Sequence, residues 1–155
     1  MTTAYQPSGF VHEILPPSWG GDTMPRITFR GAFRGENLGD RNWRLLAPIT
    51  CVRDGVDWFT IPAGFVTDLL STPRFTWVLF DPEDPEFIHS AAGHDFLYDS
   101  KCLIDITRTE ADMMLREAGR AAGADALRCW LIWLGVRAAG WLFWRRASGL
   151  PSGSK

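Results

Sequence analysis

The sequence changes its periodicity near its middle, and this change constrains the fold more than any other feature. In residues 26–33 and 43–52 apolar residues partly alternate with polar ones, which is typical of half-buried strands. Asp54-Gly55 supplies the left-handed backbone that a tight hairpin turn needs. Residues 56–61 are therefore predicted to return beside the second strand, and Pro62-Ala63-Gly64 to end it.

After this point the apolar spacing becomes helical. Asp84-Pro85-Glu86 predicts a helix start, with Asp as the N-cap and the helix running to about Tyr98. Thr109-Glu110-Ala111-Asp112 predicts a capping box that opens a second helix, for which Gly123 is a stop. Strands followed by helices indicate an α+β fold: a small antiparallel β-hairpin or sheet in the N-terminal half, packed on about three α-helices in the C-terminal half.

The length of 155 residues fits one domain. Pro and Gly recur within residues 1–25, which predicts an irregular N-terminal arm. Residues 26–147 are predicted to form a single globular domain. Residues 148–155 are rich in Ser and Gly and are predicted to be a disordered tail.

Charge and cysteine content bound the function classes. The net charge of −2 and the scattered basic residues give no general attraction to nucleic acid, so no nucleic-acid partner is expected. Cys51, Cys102 and Cys129 are odd in number and widely spaced, which excludes a complete disulfide framework and favours reduced thiols in a cytosolic protein. We expect no secretory signal, because no basic run precedes an apolar core at the start of the sequence.

The segment 126–144 is mostly apolar and carries four of the eight Trp. Arg128 and Arg137 interrupt it, and a charge near the centre of a membrane span costs about 2.5–3.5 kcal/mol. A helix of the protein core is therefore predicted. The alternatives are a Trp-rich face that docks a partner and, less favoured, a peripheral contact with a membrane surface.

The first polar cluster follows the hairpin, in residues 64–74. Asp68 and Ser71 lie there among other hydroxyl groups and before Pro73. Such groups often do no more than hydrogen-bond the backbone of a turn. The functional hypothesis makes Asp68 a general base or a ligand of a divalent cation.

The second cluster is His94-Asp95-Phe96-Leu97-Tyr98-Asp99. On a helix His94 and Tyr98 share a face, and Asp95 shares a face with Asp99. His94 is the candidate general base. Asp95, together with Asp68, would orient His94 or hold the cation. A lone helical His is otherwise a satisfied structural residue.

The third cluster pairs Arg108 with Asp112, four residues apart. Asp112 is explained by its place in the predicted capping box and is the weaker catalytic candidate. Arg137 lies on the same stripe as Trp130 and Trp141 and needs a counter-charge, because an unpaired buried charge is costly. We hypothesise that Arg137 pairs with one of three carboxylates, those of Asp95, Asp99 and Asp112.

These motifs, in this order, resemble a known family. They comprise Ile61-Pro62-Ala63-Gly64-Phe65, Thr67-Asp68-Leu69-Leu70-Ser71-Thr72-Pro73, His94-Asp95-Phe96-Leu97-Tyr98, Arg108 with Ala111-Asp112, Val136-Arg137, Gly140 and Trp144. Over residues 40–145 the chain resembles the phage and prophage family known as domain of unknown function 1353. Leu70 and Thr72 depart from its usual pattern. The resemblance implies a phage setting and no established reaction.

Two readings of function follow. In the first, the chain is a hydrolase of a phosphate ester, amide or ester, with His94, Asp95 and Asp68 as site residues. A His-Asp pair and a Tyr on one helix are also similar in chemistry to secreted phospholipases, whose calcium loop and disulfides this sequence lacks. In the second reading it is a non-catalytic assembly, virion or host-interaction protein. We expect it in the host cytoplasm or the virion.

Overall fold

The hairpin at Asp54-Gly55 forms as predicted. A computed structural model describes residues 11–14, 26–69, 84–142 and 144. Asp54 and Gly55 both have positive φ, 51° and 81°, which matches the right-handed twist of the strands that they join. The strands are β1 Val11–Ile14, β2 Ile27–Arg30, β3 Phe33–Gly39, β4 Asn42–Leu45, β5 Ile49–Arg53, β6 Val56–Ile61 and β7 Val66–Thr67.

The strands form two antiparallel sheets, with the orders β1-β3-β4-β7 and β2-β5-β6. The two long strand candidates, 26–33 and 43–52, each divide between these sheets. The first divides at Gly31, whose φ is +101°, and the second at residues 46–48. The partial alternation of apolar and polar residues continues across both breaks, so the periodicity of the sequence alone could not locate them.

Part of the predicted irregular arm is ordered. Residues 11–14 form β1, which pairs with β3, so the prediction of an irregular arm is wrong for these four residues. The rest of the arm and the predicted tail, 148–155, lie outside the described residues. The boundaries of the globular domain stay a prediction.

The second half contains α1 Ile88–Tyr98, α2 Arg108–Ala121 and α3 Ala126–Ala139, followed by a 3-10 turn, Gly140–Leu142. Together with the sheets they confirm the α+β fold. The helix starts differ from those predicted. Asp84 accepts a hydrogen bond from the Glu86 amide in a turn ahead of α1, and α1 itself begins at Ile88 with no side-chain cap.

The core lies between the sheets and the helices. Buried side chains of both halves form one cluster, including Phe33, Ile49 and Ile61 from strands and Leu97 and Leu115 from helices. The three cysteines, all within the described residues, are buried and form no disulfide bond. Within the described part of the chain, no helix has the length and apolar character needed to cross a membrane.

Candidate active site

The site is centred on Asp112, whose side chain is fully buried between helices. His94 and Tyr98 lie one turn apart on α1 and both reach the same carboxylate oxygen. His94 Nε2 is 2.8 Å from Asp112 Oδ1, and the Tyr98 hydroxyl donates to that oxygen as well. The predicted shared face of His94 and Tyr98 is thus present, and it faces α2.

The other oxygen of Asp112 faces two arginines. Arg137 Nη1 donates to Oδ2 at 2.9 Å, and Arg108 Nη1 lies 4.0 Å from the same atom. Arg108 also donates to the Arg137 carbonyl at 3.1 Å. The hypothesis that Arg137 pairs with a carboxylate is confirmed, with Asp112 as the partner, so all three helices meet at one side chain.

Asp112 is available for this role because it does not cap its helix. The capping box of α2 is formed by Thr107 and Glu110, whose side chains each bond the backbone of the other residue. The predicted box, Thr109 to Asp112, is two residues too late and is wrong. Asp112 therefore lies in the second turn of α2, on its buried face.

Hydrogen bonding keeps Asp112 charged despite its burial. Burial raises the pKa of a carboxyl group, but the hydrogen bonds of His94, Tyr98 and Arg137, together with the charge of His94 when that ring is protonated, outweigh burial and lower the pKa of Asp112 below its ordinary value. Burial, reinforced by Asp112, raises the pKa of Tyr98. At neutral pH the cluster thus contains a carboxylate and an un-ionised phenol.

The two ring nitrogens of His94 have different surroundings. Nε2 contacts the carboxylate, which favours the tautomer that carries its proton there. Nδ1 is buried and has no hydrogen-bond partner among the described residues. In that tautomer Nδ1 presents a lone pair, so it is the atom that can accept a proton.

The Asp95 side chain contacts the sheet at β7. The Thr67 hydroxyl of β7 donates to Asp95 Oδ2 and accepts a 3.0 Å hydrogen bond from the Leu69 amide. Leu69 has a positive φ of 53°. Asp68, between these residues, is half-buried. The contact between Thr67 and Asp95 attaches the end of β7 to α1.

The sequence candidates are thus only partly brought together. His94, Tyr98, Arg108, Asp112 and Arg137 form one cluster. Asp95 belongs to a neighbouring contact with β7. Ser71 lies outside the described residues.

Two contributors were missed by sequence reasoning. Thr67 was part of a quoted motif, but nothing local indicated that its hydroxyl reaches Asp95. Gly140 permits a close approach, because a Cβ there would lie 2.6 Å from Tyr98 Oη and 3.3 Å from Arg108 Nη1. Nothing in the sequence near Gly140 indicated this contact.

Within the described ranges, no group of three or more His, Cys, Asp or Glu side chains is arranged to hold a metal ion. Asp68 and Asp95 as cation ligands stay a prediction.

Comparison with known proteins gives one result. No curated protein and no solved structure matches the chain. The profile of one family matches residues 43–136, which is more than half of the chain and includes every residue of the Asp112 cluster except Arg137. The chain belongs to the family described as Protein of unknown function (DUF1353).

Proposed function

We propose that the protein is a hydrolase in which His94 is the general base and Asp112 orients it. One observation carries the proposal: His94 Nε2 bonds a buried carboxylate at 2.8 Å, while buried Nδ1 has no hydrogen-bond partner in the described part of the chain. A carboxylate that fixes the imidazole tautomer and stabilises its protonated form is the recurring arrangement of catalytic histidines.

The chemistry follows from the two nitrogens. Because Nδ1 is buried among the described residues, this step requires a movement that admits water and substrate to His94. Nδ1 takes a proton from water as the water oxygen attacks the carbonyl carbon or phosphorus of the substrate. The imidazolium that forms is stabilised by Asp112. Nδ1 then returns the proton to the leaving oxygen or nitrogen as its bond to the substrate breaks. Phosphate esters, amides and carboxylic esters are the substrate classes that suit this step.

Arg137 and Tyr98 have a supporting part in this proposal. Arg137, at 2.9 Å from Asp112, holds the carboxylate in its ionised form, which is the form that stabilises a charged His94. Tyr98 donates to the same oxygen as His94 and restricts how the carboxylate can rotate. Both are positioning residues, since they act through Asp112.

Asp68 and Asp95 retain a proposed part beside the base. Asp95 follows His94 in α1, and Asp68 follows Thr67, which donates to Asp95. Their carboxylates have the oxygen chemistry that a hard divalent cation prefers. The phage or prophage setting, in the host cytoplasm or the virion, also belongs to this proposal and derives from the sequence resemblance.

The test is hydrolysis of chromogenic carboxylic esters, phosphate esters and anilides by the full chain, with and without added Mg²⁺, Ca²⁺ or Mn²⁺. His94→Gln is expected to reduce the rate by roughly 100-fold or more, and Asp112→Asn to reduce it comparably. His89→Gln is the matched control, since His89 is the other buried histidine of α1. Circular dichroism verifies that each variant is folded.

Two results would count against the proposal. One is a folded His94→Gln variant that is as active as the unmodified protein. The other is the absence of hydrolysis across the whole panel under every metal condition. A cation requirement that is lost in Asp68→Asn would support the metal part of the proposal.

A second candidate function is non-catalytic binding of a protein partner. The observation that favours it is the exposure of Trp130 and Trp141, which are 45% and 65% exposed. In that case the Asp112 cluster only connects helices. His94→Gln would then lower stability without changing any rate, and substitutions at the two Trp would abolish binding.

A further inference from the structure

Gly140 lies directly after α3, and its backbone conformation does not require a glycine. Its φ of −61° and ψ of −24° lie in the right-handed helical region that ordinary residues adopt. In that region glycine is a poorer choice than alanine, because it loses more conformational freedom on folding. The reason for a glycine at this position must therefore be the space around it.

That space is limited by the hydroxyl group of Tyr98. A Cβ at residue 140 would lie 2.6 Å from Tyr98 Oη, 3.3 Å from Arg108 Nη1 and 3.4 Å from Tyr98 Cε1. The distance to the ring carbon is close to an ordinary contact between non-bonded atoms, whereas the distance to Oη is far shorter. The Arg108 side chain is partly exposed, so its guanidinium can move aside. The collision thus falls mainly on the Tyr98 hydroxyl.

The phenol ring has little room to retreat from this collision. Tyr98 is buried, and its ring centroid lies 4.2 Å from that of His94 and 4.8 Å from that of Trp144. The amide of Trp144 in turn donates a 3.0 Å hydrogen bond to the Gly140 carbonyl. Because the neighbours are closely packed, a side chain at residue 140 would displace the Tyr98 hydroxyl from its place.

The Tyr98 hydroxyl and His94 share one acceptor atom. The hydroxyl donates to Asp112 Oδ1, and His94 Nε2 lies 2.8 Å from the same oxygen. Two donors on one oxygen restrict the rotation of the carboxylate, and they divide the charge of that oxygen between them. If the hydroxyl moves away, the hydrogen bond between His94 and Asp112 therefore changes as well.

From these contacts we infer that Gly140 is a positioning residue of the His94–Asp112 pair, which acts by leaving room for the Tyr98 hydroxyl at Asp112 Oδ1. Gly140 acts through Tyr98 and has no contact of its own with the reacting atoms. Its effect on a reaction rate rests on the proposed hydrolase function. Its effect on the hydrogen bonds of the pair does not.

The first test is a cycle of four proteins: the unmodified chain, Gly140→Ala, Tyr98→Phe and the double variant. Tyr98→Phe removes the atom with which the new Cβ collides. Gly140→Ala is therefore expected to lower the urea midpoint of unfolding in the unmodified chain and to have little effect in the Tyr98→Phe background. If Gly140→Ala alone does not fold, the double variant is expected to fold. Equal losses in both backgrounds, or a double variant that also fails to fold, would overturn the inference.

The second test observes the pair directly, through the ring N–H proton of His94 in the NMR spectrum. The resonance is assigned by its loss in His94→Gln. Gly140→Ala and Tyr98→Phe are expected to shift it in the same direction, because each takes the hydroxyl away from the shared carboxylate oxygen. An unchanged resonance in Gly140→Ala would overturn the inference.

Gly119→Ala is the matched control for this measurement. A Cβ at residue 119 would lie 2.6 Å from Phe87 Cε1, so the collision is as close as at Gly140 but involves a ring outside the Asp112 cluster. This variant is expected to lose stability and to leave the His94 resonance in place. If it shifts the resonance as Gly140→Ala does, the shift is a general effect of crowding, and the assignment of Gly140 is wrong.

The third test is the rate on whichever substrate of the hydrolysis panel is cleaved. Gly140→Ala is expected to lower kcat by roughly 10- to 100-fold with KM unchanged. The double variant is expected to remain as slow as Tyr98→Phe although its stability is restored. A double variant with the full rate of the unmodified protein would show that Gly140 only provides packing space. If no protein of the set cleaves any substrate while the His94 resonance still shifts, the proposed hydrolase function fails and the positioning of the pair by Gly140 stands.

Discussion

The Asp112 carboxylate accepts hydrogen bonds from three side chains and has no exposed surface. Asp112→Asn removes its charge while Arg137 and His94 keep their positions. Breaking a buried ion pair by removing one partner costs about 3–5 kcal/mol. Because Arg137 is 27% exposed, we expect the lower end, a loss of about 3 kcal/mol in the free energy of unfolding measured with urea.

Asp57→Asn is the control for this prediction. Asp57 also pairs with an arginine, Arg30, but both side chains are more than half exposed. Ion pairs at such sites contribute about 0–1 kcal/mol. A loss of under 1 kcal/mol for Asp112→Asn, similar to that for Asp57→Asn, would show that the buried cluster stabilises the fold no more than a surface pair does.

His89 makes stability depend on pH. Burial, opposed by a hydrogen bond to the Gly31 carbonyl, lowers the pKa of His89 to about 4, from an ordinary value of 6.5. The unfolded chain therefore binds the proton more readily. The contribution of His89 to stability is fully present above pH 6.5 and is lost as the pH falls from 6.5 to about 4, by about 3 kcal/mol in total.

The measurement is urea unfolding at a series of pH values across this window. His89→Gln cannot titrate, so its stability is expected to fall less steeply towards acid pH than that of the unmodified protein. If the free energy of unfolding falls equally steeply with pH in both proteins, the pH dependence comes from other groups, and the prediction that His89 is neutral and buried is wrong.

At the scale of the element, two nearby threonines, Thr107 and Thr109, have different roles at the start of α2. The sequence predicted Thr109 as the N-cap. In the structure Thr107 is the N-cap, and its Oγ1 accepts a 3.2 Å hydrogen bond from the Glu110 amide. Thr107→Ala is expected to lower the free energy of unfolding by about 1 kcal/mol. Thr109→Ala, at an exposed position inside the helix, is expected to have little effect. Thermal unfolding of the two variants compares them, and a larger loss for Thr109→Ala would reverse the assignment.

This shift of two residues explains why the site was only partly predictable. Local rules predicted a helix start between Thr107 and Asp112, since two overlapping Thr–acid pairs, Thr107 with Glu110 and Thr109 with Asp112, both have the spacing of a capping box. The choice between the boxes depends on which face of α2 packs on α1. Assigning Asp112 to the cap removed it from the strongest catalytic candidates.

Other parts of the site followed from local geometry. Helical spacing placed His94 and Tyr98 on one face, and the cost of an unpaired charge predicted a carboxylate partner for Arg137. Identifying that partner as Asp112 required the tertiary arrangement, because Asp112 is 25 residues from Arg137 and 18 from His94. The fold class was predictable, but not the bends that divide two strand candidates between sheets.

At the scale of the whole molecule, both sheets and α1 come together at one corner of the fold, which is formed by Gly31, Pro48 and His89. The chain leaves one sheet at Gly31 and passes between the sheets again just before Ile49, and a Cβ on Gly31 would lie 2.9 Å from the Pro48 carbonyl oxygen. His89 of α1 lies 3.2 Å from the Gly31 carbonyl. A change at Gly31 therefore affects both segments that pass between the sheets, at Gly31 and at residues 46–48, and their contact with α1.

Gly31→Ala is expected to be more destabilising than an ordinary substitution at a left-handed position. Gly31 has a φ of +101° and Gly39 a φ of +83°, so alanine at either position incurs backbone strain of about 1–2 kcal/mol. Only at Gly31 does the new Cβ also collide with backbone, and such overpacking costs about a further 1–3 kcal/mol. The Cβ of Gly39→Ala would meet nothing within 4 Å.

Urea unfolding of both variants isolates the collision, since the backbone strain is common to them. A larger loss for Gly31→Ala would show that the close approach of the two crossings stabilises the whole fold. Equal losses would mean that the corner relaxes without cost and that the two sheets are held in place by the core alone.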